Sequence, residues 1–379
     1  MILQQRSNIC LNMIVKNETK VLDRLFKSVK DFVDYYVIVD TGSTDGTPEF
    51  IRERMAAYGI AGEVHSREWV NFGVNRNQSL QLAIAAGKSD WVLLIDADEE
   101  IGCSDPGFFS RMEPGVTYEL EKHHGKMRYA LANLIDIRAT RWEWRGPVHE
   151  YLLDLDGTAR RQLCSDVWII YHEGEGARSQ GVSQSEKFLR DAHLLEEELR
   201  QHPDDCRSRF YLAQSYRDAE ELQAAYDNYR LRAELPGGWD QETFIAQLEA
   251  GRLARALRLP HAAVLEELLA AYNLRPTRAE PLHELAVHCR LLQRYGEAYL
   301  FAKMGSLLPC PPDTLFVNRD VYDWRIFDEL AVAAYWVGHY AESRDFCETL
   351  LHLATEGTDI ADTDLRRIEQ NLELVKARC

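Results

Sequence analysis

The residues that first suggest chemistry are Asp96 and Asp98, in the stretch Trp91–Glu100, WVLLIDADEE. An apolar run of strand character leads straight into them. Both carboxylates therefore arrive at the carboxyl end of a buried strand, where α/β sheets bind ligands. Residues two apart on an extended chain point the same way, so the pair can reach one hard cation such as Mn2+ or Mg2+. Alternatively, one carboxylate takes the cation and the other a ribose. An Asp-x-Asp alone is more often a solvated loop, and it is the preceding strand that raises this one.

The elements around the pair alternate. Ile9–Val15 (ICLNMIV) is an apolar run ending at Lys16-Asn17-Glu18, and Val21, Leu22, Leu25, Phe26 and Val29 then recur at helical spacing. Tyr35–Val39 (YYVIV) stops at Asp40 and a turn rich in Gly, Ser, Thr and Asp. A helix follows over Thr47 to Tyr58, with Pro48 suited to its first turn. Gln78–Ala86 reads as a further helix and Trp91–Ile95 as a further buried strand. Short apolar runs separated by helices predict a parallel α/β sheet covered on both faces.

A Gly/Ser-rich hinge at Gly174–Ser185 separates this half, residues 1–180, from a second domain, 186–379, that is helical in pattern throughout. There, Leu212, Ala213, Tyr216, Ala225 and Tyr229 form one copy of a tetratricopeptide-like arrangement. Leu282, Leu285, Ala286 and Ala298, with Pro309 just beyond, form another, and Phe327, Leu330, Ala331 and Gly338 a third. A weaker copy spans Leu248–Pro276. Small residues let paired helices approach, and large ones fill the gaps between pairs. A generic helical bundle is the plainer alternative.

Bulk properties narrow the class. The chain of 379 residues suits two cores, and 46% hydrophobic with 10% aromatic residues is an ordinary globular composition. A formal net charge of -17 argues against any general nucleic-acid or anionic-membrane surface. No apolar run approaches the roughly 20 residues of a membrane span. The polar start Met1 to Arg6 lacks the apolar core of a signal peptide. The eight cysteines form no Cys-x-x-Cys pair and read as reduced residues of a cytoplasmic protein.

ICLNMIVKNE, VIVDTGSTDGT, NFGVNRN and WVLLIDADEE together resemble, in order and spacing, the family 2 glycosyltransferases of GT-A fold over roughly residues 8 to 175. The resemblance implies that Asn17 and Glu18 line a nucleotide pocket and that Asp40 accepts a hydrogen bond from the base, by preference uracil. A turn cap is the plain alternative for Asp40. It also implies that Arg76 and Asn77 open a helix beside the donor, with Arg76 reaching its phosphates or else making a surface ion pair. Asp96 and Asp98 would hold the Mn2+ or Mg2+ that bridges the diphosphate of a UDP-sugar. His172, after the strand Val167–Tyr171, stands where similar enzymes complete that metal shell, and neutral imidazole is a competent ligand.

Inverting transfer needs a base for the acceptor on the face opposite the nucleotide. RWEWRGPVHEYL resembles the Gly-x-Val-His-Glu segment of a subset of the family that includes peptide S-glycosyltransferases. That resemblance implies Glu150 as base, with His149 orienting it or contacting the donor; Glu143 and Asp154 are the next candidates. The helical half resembles tetratricopeptide tails fused to bacterial glycosyltransferases, which offer a groove for an acceptor or a surface for self-association. The aromatics Tyr322, Trp324, Phe327 and Trp336 would line such a groove or fill the repeat core.

The expected fold is thus an α/β GT-A domain followed by an all-α tetratricopeptide-like domain. The expected activity is transfer of glucose or N-acetylglucosamine to a polypeptide side chain, or to a lipopolysaccharide or surface polysaccharide. A nucleotidylyltransferase would carry glycines after the first strand, where Lys16-Asn17-Glu18-Thr19 has none, and Thr41–Gly46 lacks dinucleotide-binding spacing. A non-catalytic repeat scaffold with a decayed transferase domain is the reading from another class.

Overall fold

The computed structural model describes residues 8–125, 127–179, 181 and 183–378, and the chain divides into two units, Met1–Glu198 and Leu199–Cys379. Met1–Arg6 and Cys379 lie outside the described residues.

The first unit opens with strand β1 (Ile9–Val15), helix α1 (Leu22–Val29), strand β2 (Tyr35–Asp40), helix α2 (Thr47–Ala57) and strand β3 (Ala61–Ser66). Helix α3 (Phe72–Ala86) and strands β4 (Trp91–Leu94), β5 (Glu99–Cys103), β6 (Val116–His124) and β7 (Met127–Asp136) follow. A hairpin of β8 (Trp142–Arg145) and β9 (Tyr151–Asp154), the long β10 (Arg160–Tyr171) and helix α4 (Gln184–Gln201) complete it. The eight-stranded sheet has the order β3-β2-β1-β4-β7-β6-β10-β5. Its first four strands pair in parallel, as do β6 and β10, whereas β4 pairs antiparallel with β7, β7 with β6 and β5 with β10. The expectation of a parallel sheet therefore holds for one half and is corrected to a mixed sheet for the whole.

Alternation within β1 decides the layers. Ile9, Leu11, Met13 and Val15 face a core shared with Leu22, Leu25, Phe26 and Val29 of α1 and Ile51 and Met55 of α2. The four α1 residues are fully buried, each contributing about 1.5–3 kcal/mol. Cys10 faces the other side, with Leu80 and Ala83 of α3, Val92, Leu94 and Trp142. Buried Asn12 ties α3 to the sheet, its Nδ2 donating to Val37 O (2.9 Å), Ser79 O (3.0 Å) and Ser79 Oγ (2.8 Å). Helix α3 begins earlier than its apolar spacing suggests because Asn71 caps it, Oδ1 accepting from Val74 N at 2.8 Å. Gly87, at φ 60°, ends it.

The second unit is all helix: α5 (Cys206–Asp218), α6 (Leu222–Glu234), α7 (Asp240–Ala256), α8 (His261–Leu274), α9 (Glu280–Leu291), α10 (Tyr295–Gly305), α11 (Ile326–Trp336), α12 (Tyr340–Thr355) and α13 (Asp362–Lys376). Each packs on the next, and the first helices of successive pairs, α5, α7, α9 and α11, also touch in series and end on α13. That arrangement is the helix-pair stacking of a tetratricopeptide-like solenoid. Ion pairs cross between those first helices: Arg207–Glu242 (3.0 Å), Arg252–Glu284 (2.8 Å), Arg290–Glu329 (2.6 Å) and Arg367–Asp328 (2.9 Å). The weak copy at Leu248–Pro276 is as well formed as the others, as helices α7 and α8. Tyr322, Trp324 and Phe327 pack into the core, whereas Trp336 is exposed and stacks on Tyr295. The seven described cysteines are free, and no helix among the described residues is long and apolar enough to cross a membrane.

Candidate active site

Strand β1 is the point where the parallel sheet turns its order, with β2 on one side and β4 on the other. The carboxyl ends of these strands deliver Asn17 and Glu18, Asp40, and Asp96 with Asp98 to one region, at the place where open α/β sheets bind ligands.

Asp40 is buried, and its Oδ2 accepts from Gly42 N and Ser43 N, both at 3.1 Å, capping the following turn. Its Oδ1 is buried without a hydrogen-bond partner among the described residues. A buried acceptor left open costs about 1–3 kcal/mol, which an incoming N–H would recover. Asn17 sits at φ 60° and is spent on local structure, since its N–H donates to Ser43 Oγ (2.8 Å) and its Oδ1 accepts from Thr44 N (2.7 Å). Its side chain thus shapes the pocket wall.

Three carboxylates gather with too few cations. The Glu18 carboxyl is pushed up to about 7, chiefly by burial and then by Asp98, Asp96 and Asp45. Asp98 is raised by burial and by Asp96. Asp96 goes the other way: burial would raise it, but Arg76 and Lys122 hold it below the usual range. Behind the pair, Glu99 is pushed up to about 7 by burial and Asp96 despite its ion pair to Lys122 at 2.5 Å. A divalent cation among oxygens of this kind would relieve the repulsion, so Glu18, Asp96 and Asp98 fit a hard metal.

His172 lies next to the pair. Its Nε2 lies 3.1 Å from Glu100 Oε1, its backbone N–H donates to Asp98 O (3.2 Å), and neither His172 nor Glu18 forms with Asp96 and Asp98 a trio whose ligand atoms all lie within 4.8 Å of one another. Glu18 and His172 thus both flank the Asp96–Asp98 pair, Glu18 coupled to it electrostatically and His172 bonded to the Asp98 backbone.

Arg76 is the hinge of the site. Its Nη2 donates to Asp96 Oδ1 and its Nε to Glu150 Oε1, both at 2.7 Å, and the guanidinium lies 5.2 Å from the Trp144 ring centroid. Burial alone would lower its pKa, but the two carboxylates raise it further above the usual arginine value. Glu150 thereby reaches Asp96 through one planar cation. Asn77 turns elsewhere: its Nδ2 donates to Trp144 O (2.7 Å) and its Oδ1 accepts from Trp144 N (2.8 Å), so both ends of the amide brace β8.

The turn carrying Glu150 is fixed by close backbone contact. Phe72 N donates to Pro147 O at 3.0 Å, and a Cβ on Gly73 would lie 2.4 Å from Gly146 O. His149 is exposed, with a left-handed backbone at φ 50°. Of the other candidate bases, Glu143 pairs with Arg145 at 3.0 Å. Asp154 caps a turn, accepting from Gly157 N (2.9 Å) and Ala159 N (2.7 Å).

The loop after His172 also reaches the carboxylates. Ala177 N donates to both Glu18 oxygens at 3.2 Å, and a Cβ on Gly176 would lie 2.7 Å from Asp98 Oδ2. Arg178 pairs with Asp191 on α4 and lies 4.6 Å from the Phe72 ring centroid. Sequence reasoning passed over Lys122, Glu99, Trp144 and Arg178. Glu99 alone had a signal, as a further acid directly after the Asp-x-Asp.

Residues 10–103 match the family described as Glycosyl transferase family 2. That stretch of the first unit is thus similar to family 2 glycosyltransferases, and the helix-pair stacking of the second is tetratricopeptide-like. A TPR repeat-containing protein of Synechococcus elongatus is 42% identical over 96 residues, 25% of this chain and 21% of that one. Glycosyltransferase SunS of Bacillus subtilis is 24% identical over 230 residues, 58% of this chain and 51% of its own. The chain thus spans about half the length of SunS or less of the other relative. Among solved structures, a MamA crystal structure is similar with TM-score 0.38 at 14% identity, covering 49% of this chain and 96% of that one.

Proposed function

We propose that this chain is a divalent-cation-dependent, inverting glycosyltransferase that takes a hexose from a UDP-sugar. The observation that carries the reading is the connected set Glu18, Asp96, Asp98, Arg76 and Glu150 at the strand ends, with the open Oδ1 of Asp40 nearby. Asp40 accepts an N–H of the base. Glu18, Asp96 and Asp98 would hold Mn2+ or Mg2+, which supplies charge stabilisation to the departing diphosphate when bound. Glu150 takes the acceptor proton through Oε2 as the sugar transfers, while Arg76 holds Oε1 and fixes the direction of approach. His172 and Asn77 act as supports, through Asp98 and β8, and exposed His149 faces the acceptor side. The likeness of Gly146–Glu150 to the peptide S-glycosyltransferases favours a polypeptide side chain as acceptor.

The test is UDP release from a panel of UDP-sugars with Mn2+ present, followed by mass spectrometry of candidate peptides and glycans. Asp98→Ala should reduce release by about 100-fold or more, as losing a main electrostatic group at a reacting centre does. Unchanged release and donor binding in that variant would remove the carboxylate assignment. Absence of both UDP binding and turnover across the panel would instead favour the non-catalytic scaffold.

A further inference from the structure

Among the described residues, a single trio of His, Cys, Asp or Glu brings its ligand atoms within 4.8 Å of one another, and it lies in the helical unit: His261, Cys289 and Glu297. His261 opens α8, Cys289 lies in the last turn of α9 and Glu297 in the first turn of α10. The tight turn between α9 and α10 sets Glu297 over Cys289, and the packing of α8 on α9 adds His261.

Two of the three separations match the edges of a tetrahedron around one ion, and the third lies within 4.8 Å. Nε2 of His261 lies 3.3 Å from Glu297 Oε2, and Sγ of Cys289 lies 3.5 Å from the same oxygen. Usual zinc–nitrogen, zinc–oxygen and zinc–sulfur bond lengths give tetrahedral edges of about 3.4 Å for N···O and about 3.6 Å for S···O. Nε2 of His261 is also buried without a hydrogen-bond partner among the described residues, although the ring is polar and close to a carboxylate. The other ring nitrogen, Nδ1, is 3.0 Å from Nε2 of His288, with the two rings stacked at 17°. A metal-binding histidine commonly donates its second N–H to such a partner, which fixes the tautomer that leaves Nε2 free to coordinate. Arg294 donates through Nε to Glu297 Oε2 at 2.7 Å and fixes that carboxylate in place.

We infer that His261, Cys289 and Glu297 form a binding site for Zn2+ or a similar borderline-soft transition ion, clamping α8, α9 and α10, with water in the fourth position. The anionic ligands are the thiolate and the Glu297 carboxylate, whose charge Arg294 partly offsets through Nε and Nη2. The thiol proton of Cys289 passes to solvent on binding, so loading releases one proton per ion. Thiolate and imidazole disfavour Mg2+ and Mn2+, which separates this site chemically from the carboxylates of the first unit.

The experiment is Co2+ titration of the chelator-stripped full chain, read by the near-ultraviolet sulfur-to-cobalt charge-transfer absorption. The expected result is a band saturating at one equivalent, abolished in Cys289→Ser and weakened at least 10-fold in apparent affinity in Glu297→Gln. The band should be retained in Cys347→Ser and in Asp98→Ala. Zinc at about a hundred times its dissociation constant should raise the wild-type thermal midpoint by about 5–10 °C. No band, or one that persists in both Cys289→Ser and Glu297→Gln, overturns the site. Should Cys289→Ser fail to fold, His261→Ala, at a partly exposed helix start, decides by the same absorption.

Discussion

At the Arg76 guanidinium, Nε and Nη2 face different carboxylates, Glu150 and Asp96, each at 2.7 Å. A planar fork can make both bonds without moving, whereas a lysine ammonium at the end of a flexible stem cannot reproduce that geometry. Arg76→Lys keeps the charge, so stability should change little, while kcat should fall about 100-fold with KM for the donor less affected. Arg76→Ala leaves two carboxylates beside Glu18 and Asp98 uncompensated and should cost about 3–5 kcal/mol in urea unfolding. An Arg76→Lys enzyme with normal kcat would remove the fork from the mechanism. Much of this site was legible because strand ends and turn residues announce themselves: Asp40, Asp96 and Asp98 all follow apolar runs. The bonds of Asn77 to Trp144 were not legible, since neighbours on a helix point about 100° apart and Asn77 need not share the direction of Arg76. The charge state of Glu18 was not legible at all, because it depends first on burial by the fold, opposed by the N–H of Ala177, 159 residues away in sequence.

At the level of elements, the placement of Glu150, the proposed base, depends on how closely α3 meets the β8–β9 turn. Gly73 allows that approach, because any Cβ there would press on a backbone oxygen, Gly146 O, at 2.4 Å. Gly73→Ala should therefore destabilise by about 1–3 kcal/mol rather than gain from better helix propensity. It should also lower kcat more than KM, since the displaced turn carries Glu150. Gly296→Ala in α10 is the contrast: a Cβ there would meet nothing within 4 Å, and the change should be neutral or stabilising by up to about 1 kcal/mol. Comparing urea midpoints of the two variants tests this, and equal effects would discount the contact. Long apolar runs made β1, β2 and β4 readable, and helical spacing made α1 readable. β3 was missed because AGEVHS is a weakly apolar edge. The start of α3 does not show in apolar spacing because its first turns carry Asn75, Arg76 and Asn77, which bond Glu68, Asp96, Glu150 and Trp144, rather than an apolar stripe.

Across the whole molecule, acidification acts on stability in two opposed ways. Protonating carboxylates relieves the repulsion of a chain with formal net charge -17. Against this stands His283 in the helical unit, whose pKa is lowered from the ordinary histidine value of 6.5, first by burial. Glu284 and Glu329 would raise it, Arg252 and Arg325 lower it, and Nδ1 has no hydrogen-bond partner among the described residues. Because the folded value lies below the unfolded one, the unfolded chain takes up the proton first as pH falls. The stability is fully present above pH 6.5 and is lost as pH drops from there toward the folded value. His283→Gln removes this dependence while leaving the net-charge effect in place, so the informative quantity is the difference between the two proteins. Between about pH 8 and about pH 5, the wild type should lose unfolding free energy relative to His283→Gln in urea titrations of the full chain. Parallel curves would mean that His283 binds its proton equally well folded and unfolded, and that its burial between the crossing ion pairs carries no pH sensitivity.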